Sequence, residues 1–270
     1  MQSLVADDSD VAEGAYEHTI LLQKRGVHLK CLITFGRYPG NVLVVNKAEA
    51  DKIKTPKDLR GKKIGVSAPG SSTYDFAAMV LQRAGVPWKS AHYVSVGTGM
   101  SAVAAMKNGS ELDALVNLDP AITNLVNSGK AVVMVDSRTE KGTHQAFGGD
   151  YLSDCLMAKT SFIEKNPETS QAIVNAVVHA MKWLRTASID DIIKSLPSSY
   201  YSANEAEYRE SLKNNIAAFK WNGVVTSAAA QRVLDTIMLA NPNLKNGGGI
   251  NLAATFDNKF VNAADKKFKN

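Results

Sequence analysis

From Val11 to Lys159, short apolar runs alternate with amphipathic helical patterns, and no other feature restricts the fold of this 270-residue chain as strongly. The runs Val11–Ala12, Leu29–Phe35, Val42–Asn46, Lys63–Ser67, Ala91–Val96, Leu112–Val116, Ala131–Val135 and Cys155–Lys159 read as strands. Helical patterns lie between several of them. Such alternation predicts an α/β protein with mostly parallel sheets built from strand–helix–strand units. A composition that is 45% hydrophobic and 21% charged fits a folded globular chain and excludes disordered, collagen-like and coiled-coil classes. No apolar stretch is long enough to span a bilayer.

Helix ends are marked by residue chemistry. Phe76, Ala77, Val80, Leu81 and Ala84 share one face of a helix that Ser72-Thr73-Tyr74-Asp75 opens and Gly85 stops, with Pro87 beyond. Asp119-Pro120 opens another, which Gly129 closes. Beyond residue 160 the pattern turns helical, with Asn166-Pro167-Glu168 opening a long helix and Thr226-Ser227 opening a later one. Asn246-Gly247-Gly248-Gly249 reads as a loop and Phe256–Ala264 as a short closing helix. A faint repeat runs beneath this order. Asp10-Val11-Ala12 is followed sixteen residues later by Gly26 and then by Leu29–Phe35. Asp113-Ala114-Leu115 is followed sixteen residues later by Gly129 and then by Ala131–Val135. Two similar α/β lobes would produce it.

Open α/β sheets bind ligands at the carboxyl ends of their strands, where helices begin. The strand-to-helix junctions at Gly14, Ala15 and Tyr16, at Ser71, Ser72 and Thr73, at Thr98 and Gly99, and at Asn117 and Asp119 are the candidate ligand-binding residues. Each offers backbone amides at a positive helix end, a setting for an anion in which a charge-assisted bond is worth about 1.5–3 kcal/mol. Arg37, between two apolar runs, is a further candidate as a bidentate anion partner. Each residue also has a plain structural role open to it: Ser72, Thr73 and Asp119 as caps, Gly97-Thr98-Gly99 as a turn, Arg37 as a solvated loop residue, Tyr16 and Tyr38 as packing.

Enzymatic signatures are absent. The five histidines form no metal-spaced pair, and neither a nucleophile elbow nor a phosphate loop occurs. Glu13, Glu17 and His18 could act as an acid/base group, but Glu17 and His18 read more simply as the first turn of a helix, so no catalytic residue and no metal ligand is assigned. Cys31 and Cys155 lie in apolar runs and read as free thiols, although a single bridge is compatible with them. The formal net charge of +5 is spread thinly apart from the tail Lys266-Lys267-Phe268-Lys269, which argues against a nucleic-acid partner. Met1–Ala6 is followed at once by Asp7, Asp8 and Asp10, without a signal-peptide pattern, so at face value the chain is cytoplasmic.

The block Thr55-Pro56-Lys57-Asp58-Leu59-Arg60-Gly61-Lys62-Lys63-Ile64-Gly65-Val66, leading into Gly70-Ser71-Ser72-Thr73, resembles the solute-binding proteins of ABC importers for nitrate, taurine and aliphatic sulfonates. Ala105-Met106-Lys107-Asn108-Gly109 with Leu112-Asp113-Ala114 and Asp119-Pro120 is similar to a further segment of that family. The resemblance implies a two-lobed type II periplasmic-binding fold, with residues 1–46 and 152–270 forming one lobe and 47–151 the other. Val42–Asn46 and Cys155–Lys159 would be the crossover strands. It implies a first β-α-β unit that this sequence lacks, a periplasmic or membrane-anchored extracellular setting, a monomer, no cofactor, and an ABC permease as partner. The expected function is capture of a small anion, such as a sulfonate, taurine, nitrate or carboxylate, between closing lobes. The alternative is a binding protein or enzyme for a pyrimidine, thiamine-precursor or related metabolite on the same fold. The thiamine-pyrimidine synthases of that fold carry a cysteine-rich motif that is missing here.

Overall fold

The computed structural model describes residues 1–107, 112–219, 222–240, 244 and 249–268. Asn108 and Gly109 of the family-like segment, Asn246–Gly248 of the glycine loop and Lys269 of the basic tail lie outside the described residues.

Eight strands form two sheets: β1 Val11–Ala15, β2 Leu29–Thr34, β3 Val42–Asn46, β4 Lys63–Val66, β5 His92–Ser95, β6 Ala114–Asn117, β7 Ala131–Asp136 and β8 Asp154–Lys159. The helices are α1 Gln2–Val5, α2 Glu17–Gln23, α3 Ser72–Arg83, α4 Met100–Lys107, α5 Ala121–Asn127, α6 Glu140–Phe147, α7 Thr160–Lys165, α8 Pro167–Leu184, α9 Ile189–Ser195, α10 Glu205–Asn215, α11 Ser227–Ala240 and α12 Lys259–Lys267. The smaller sheet has the order β1-β8-β2 and the larger β5-β4-β6-β3-β7.

The repeat seen in the sequence has a topological counterpart. β1, α2 and β2 form one strand–helix–strand unit, and β6, α5 and β7 form the other. In each, a strand from elsewhere is inserted antiparallel between the two: β8 between β1 and β2, and β3 between β6 and β7. The exchange is reciprocal, because β3 follows the first unit in sequence and β8 follows the second. Gly26 (φ 76°) and Gly129 (φ 66°) end the two unit helices in the left-handed region that other residues avoid. The remaining strands of each sheet point one way, and β4 pairs in parallel with β5 and β6. The α/β class and two-sheet architecture are those expected. β3, counted with the first lobe in the sequence, hydrogen-bonds wholly within the larger sheet, and the backbone passes between sheets over 35–41 and 137–153.

Period-2 patterning splits the inserted strand β3 between two cores. Val42 and Val44 pack with Val103, Met106, Ile122 and Leu125 beneath α4 and α5, whereas Leu43 and Val45 face the central cluster with Phe76, Val80, Val233 and Ile237 from α3 and α11. The outer face of the smaller sheet packs Leu32, Ile33 and Ala158 on Ile163, Val174, Val178, Met181 and Phe260 from α7, α8 and α12. Helices thus cover both faces of each sheet. The caps shift by one residue from expectation: Ser71 rather than Ser72 accepts the Tyr74 amide at the start of α3 (3.3 Å). Asp119 accepts the Thr123 amide (2.9 Å), while Pro120 stands just ahead of α5.

The free-thiol reading of the cysteines is corrected. Cys31 and Cys155 form a disulfide with Cα atoms 5.8 Å apart, although 124 residues separate them in sequence. The insertion of β8 beside β2 brings them together, since Cys31 pairs with Met157 and Thr34 with Cys155 in that ladder.

Candidate functional site

A cavity of about 260 Å³ opens where the carboxyl ends of β1, β4 and β6 meet the segments that lead into β3 and β8. Small apolar cavities with convergent polar groups are the usual form of ligand sites. Two aromatic groups wall this one. Tyr74 meets the edge of Trp88 with ring centroids 5.9 Å apart, and Phe147 stacks on Tyr151 at 3.9 Å. Phe76 lies 5.6 Å from Phe147. Leu21, Met79, Leu118 and Ile237 add apolar surface.

The polar lining is acidic. Glu17, in the first turn of α2, is 4% exposed. Its Oε2 accepts a hydrogen bond from the Tyr151 hydroxyl at 2.7 Å, and its Oε1 is buried without a partner. Asp75 enters from the first turn of α3, and Asp154 from the first position of β8. Burial disfavours the charged form of a carboxyl, and neighbouring carboxylates add to the effect. Burial followed by repulsion from Glu17 pushes Asp75 up to about 7. Burial followed by repulsion from Glu13 pushes Asp154 up to about 7. Burial also raises Glu17, against the opposing bond from Tyr151. Asn41 contributes a second buried acceptor, an Oδ1 without a partner. The one cationic side chain among the described lining residues is the exposed Lys89, whose ammonium lies 5.3 Å from the Trp88 ring centre.

Of the residues expected from sequence, Ala15 and Ser72 line this cavity. Gly14 pairs with Cys155 inside the β1–β8 ladder. Tyr16 is fully buried with its hydroxyl 2.6 Å from Thr255 Oγ1, and burial pushes its phenol up to about 12. Ser71 caps α3, and Thr73 receives the Ser67 amide at 2.9 Å. Asn117 is buried and donates to the carbonyl of Gly97, beside the turn that holds Thr98 and Gly99. Asp119 is bound by Arg138 (3.0 Å), Asn215 (2.6 Å) and Thr123. Arg37 pairs with Glu140 at 3.3 Å rather than lining the cavity. The junctions at Ala15 and Ser72 thus open on this cavity, while the other expected residues are engaged in the structure around it. Of the polar residues that line the cavity, Glu17 is weighed in the sequence as part of an acid/base group and set aside as a first-turn acid, Asp75 reads as part of a cap, and Tyr151 and Asp154 belong to no local motif. Outside the cavity, Glu140, His144 and Asp150 bring three ligand atoms within 4.8 Å of one another, but all three are exposed and His144 already bonds Asp150.

Among the described residues no helix is long and apolar enough to cross a membrane. No curated protein sequence matches the chain. A solved structure from Bordetella bronchiseptica RB50 shares 34% identity, covering 100% of this chain and 84% of that one, with a TM-score of 0.93. The alkanesulfonate-binding protein SsuA from Xanthomonas axonopodis pv. citri, bound to MOPS, shares 18% identity over 95% of this chain and 83% of its own, with a TM-score of 0.69. The periplasmic nitrate-binding protein NrtA from Synechocystis PCC 6803 shares 12% identity over 96% and 74%, with a TM-score of 0.64. The fold is thus that of periplasmic and ABC-importer binding proteins. Residues 1–187 match the family described as NMT1/THI5 like, and the chain belongs to that family.

Proposed function

We propose that the protein binds a small nitrogen heterocycle of the pyrimidine or thiamine-precursor class in this cavity, without transforming it, and presents it to an ABC permease. The observation that carries this reading is the acidic lining: Glu17, Asp75 and Asp154 offer acceptor oxygens between aromatic walls, and among the described lining residues the exposed Lys89 is the one cation. A flat ring with amino or ring N–H donors complements such a site. A sulfonate or nitrate offers only acceptors, and each of these carboxyls that ionises would repel it in a low-dielectric space. The NMT1/THI5-like match supports the same choice. The Cys31–Cys155 bridge suits an extracytoplasmic setting, because disulfides persist in oxidising compartments.

A thermal-shift and calorimetric series would test this reading with 4-aminopyrimidine, taurine, an alkanesulfonate and nitrate. Binding stabilises by mass action, about 2.7 kcal/mol at a hundredfold excess over Kd. The aminopyrimidine raises Tm and the anions do not. A shift produced by the anions alone would overturn the assignment.

A further inference from the structure

A second cavity, of about 230 Å³, adjoins the first and shares Pro39, Leu118 and Asp154 with it. Beyond that neck its walls include Tyr38, Tyr208, Phe219 and Leu212. Two of the polar groups around it are already engaged. Asp119 is held by Arg138, Asn215 and Thr123, and the Tyr38 hydroxyl donates to Glu140 at 3.4 Å. What remains for an occupant is mainly aromatic and apolar surface with the Tyr208 hydroxyl, and Asp154 as acceptor at the entrance. The walls are fixed in place, because α10, which carries Tyr208 and Leu212, is fastened to α5 by Asn124–Glu207 (2.8 Å), Asn127–Glu210 (2.7 Å) and Asn214–Thr123 (3.2 Å).

We infer that this second cavity is a subsite for an apolar or aromatic substituent, carried by a ligand whose ring sits in the first cavity and whose linking N–H is bonded by Asp154 at the neck. The inference rests on the ligand class proposed above and adds to it: the natural ligand is a substituted heterocycle rather than a bare ring. Its chemistry is that of an N-alkylated or N-arylated aminopyrimidine. Burial of the substituent supplies affinity and the single donor at the neck sets its direction.

Calorimetry on the full chain with 4-aminopyrimidine and 4-(benzylamino)pyrimidine separates the two claims. The benzyl compound binds at least about tenfold tighter than the parent ring, a factor of about 1.4 kcal/mol. Leu212→Trp, which fills the second cavity, abolishes that gain, and Tyr208→Ala, which removes a wall, reduces it. The two act in opposite steric senses, so one remains informative if the other fails to fold by circular dichroism. Equal or weaker binding of the benzyl compound, or a gain that survives both substitutions, overturns the subsite while leaving the parent reading intact. Failure of both compounds to bind overturns the ligand class itself.

Discussion

The hydroxyl of Tyr151 donates to Glu17 Oε2 at 2.7 Å across 134 residues of sequence. It joins the start of α2, the helix of the first strand–helix–strand unit, to the segment that carries the chain back into β8. Tyr151→Phe leaves the Glu17 carboxyl buried with neither oxygen bonded. Losing one partner of a buried pair costs about 1–3 kcal/mol, whereas replacing both by apolar groups is nearly neutral. Urea denaturation will therefore show Tyr151→Phe destabilised by that amount, and the double variant with Glu17→Met will recover part of the loss.

Gly36 is what gives Asp154 its place. A Cβ at Gly36 would lie 2.8 Å from Asp154 Oδ2 and 3.1 Å from its backbone nitrogen. The second atom is backbone and cannot step aside. Gly36→Ala will displace the carboxyl that both cavities share, lowering aminopyrimidine affinity at least about tenfold, at an overpacking cost of about 1–3 kcal/mol. Calorimetry and a denaturant midpoint read the two effects separately.

The sheets were legible because their signals are local. The alternation of apolar runs and the left-handed glycines Gly26 and Gly129 each depend on a few neighbouring residues. Even the reciprocal unit structure left a trace in the repeat at Asp10 and Asp113. The disulfide and the acid lining were not legible, since both arise from the insertion of β8 between β1 and β2. That event juxtaposes residues more than a hundred positions apart and leaves no periodicity in the sequence. Helix ends rich in amides suggested an anion. Only the structure shows that the carboxyl groups of Glu17, Asp75 and Asp154 occupy the same edge.

Asp75 and Asp154, raised to about 7 from an ordinary value of 3.8, link stability to pH. Above the ordinary carboxylate range the folded state holds protons that the unfolded chain releases, so stability falls as pH rises. The contribution is complete below about pH 4 and is lost through about pH 7. Asn mimics the protonated form. Asp75→Asn and Asp154→Asn will therefore raise Tm at pH 8, leave it nearly unchanged at pH 4.5, and flatten the profile between, while weakening ligand binding at neutral pH. A thermal-melt series across that range checks both signs.

Arg138 neutralises two carboxylates at the start of the second inter-sheet passage. It bonds Asp119 Oδ2 at 3.0 Å and Asp136 Oδ2 at 2.7 Å, with its own side chain 11% exposed and that of Asp119 7% exposed. Its bonds to Asp136 hold that carboxyl below its usual range despite burial. Arg138→Met would leave both acids without their counter-charge, and removing one member of a buried pair costs about 3–5 kcal/mol. That is a large share of a domain's stability of about 5–15 kcal/mol, so expression yield and urea midpoint will both fall. Asp119 also receives Asn215 from α10, so hydrogen exchange in α10 will speed up along with it.

The disulfide closes a loop of 124 residues that contains the whole larger sheet. A cross-link of that reach constrains the unfolded chain, and a native bridge is typically worth about 2–4 kcal/mol. Both cysteines are at most 1% exposed, so reductant reaches the bond only when the smaller sheet opens. Dithiothreitol will therefore leave the native protein oxidised for as long as it stays folded, yet will lower the denaturant midpoint once unfolding has been passed. The Cys31→Ala/Cys155→Ala double variant will show the same midpoint with or without reductant. Thiol trapping that found the bridge fully reduced under native conditions would contradict the packing that buries it.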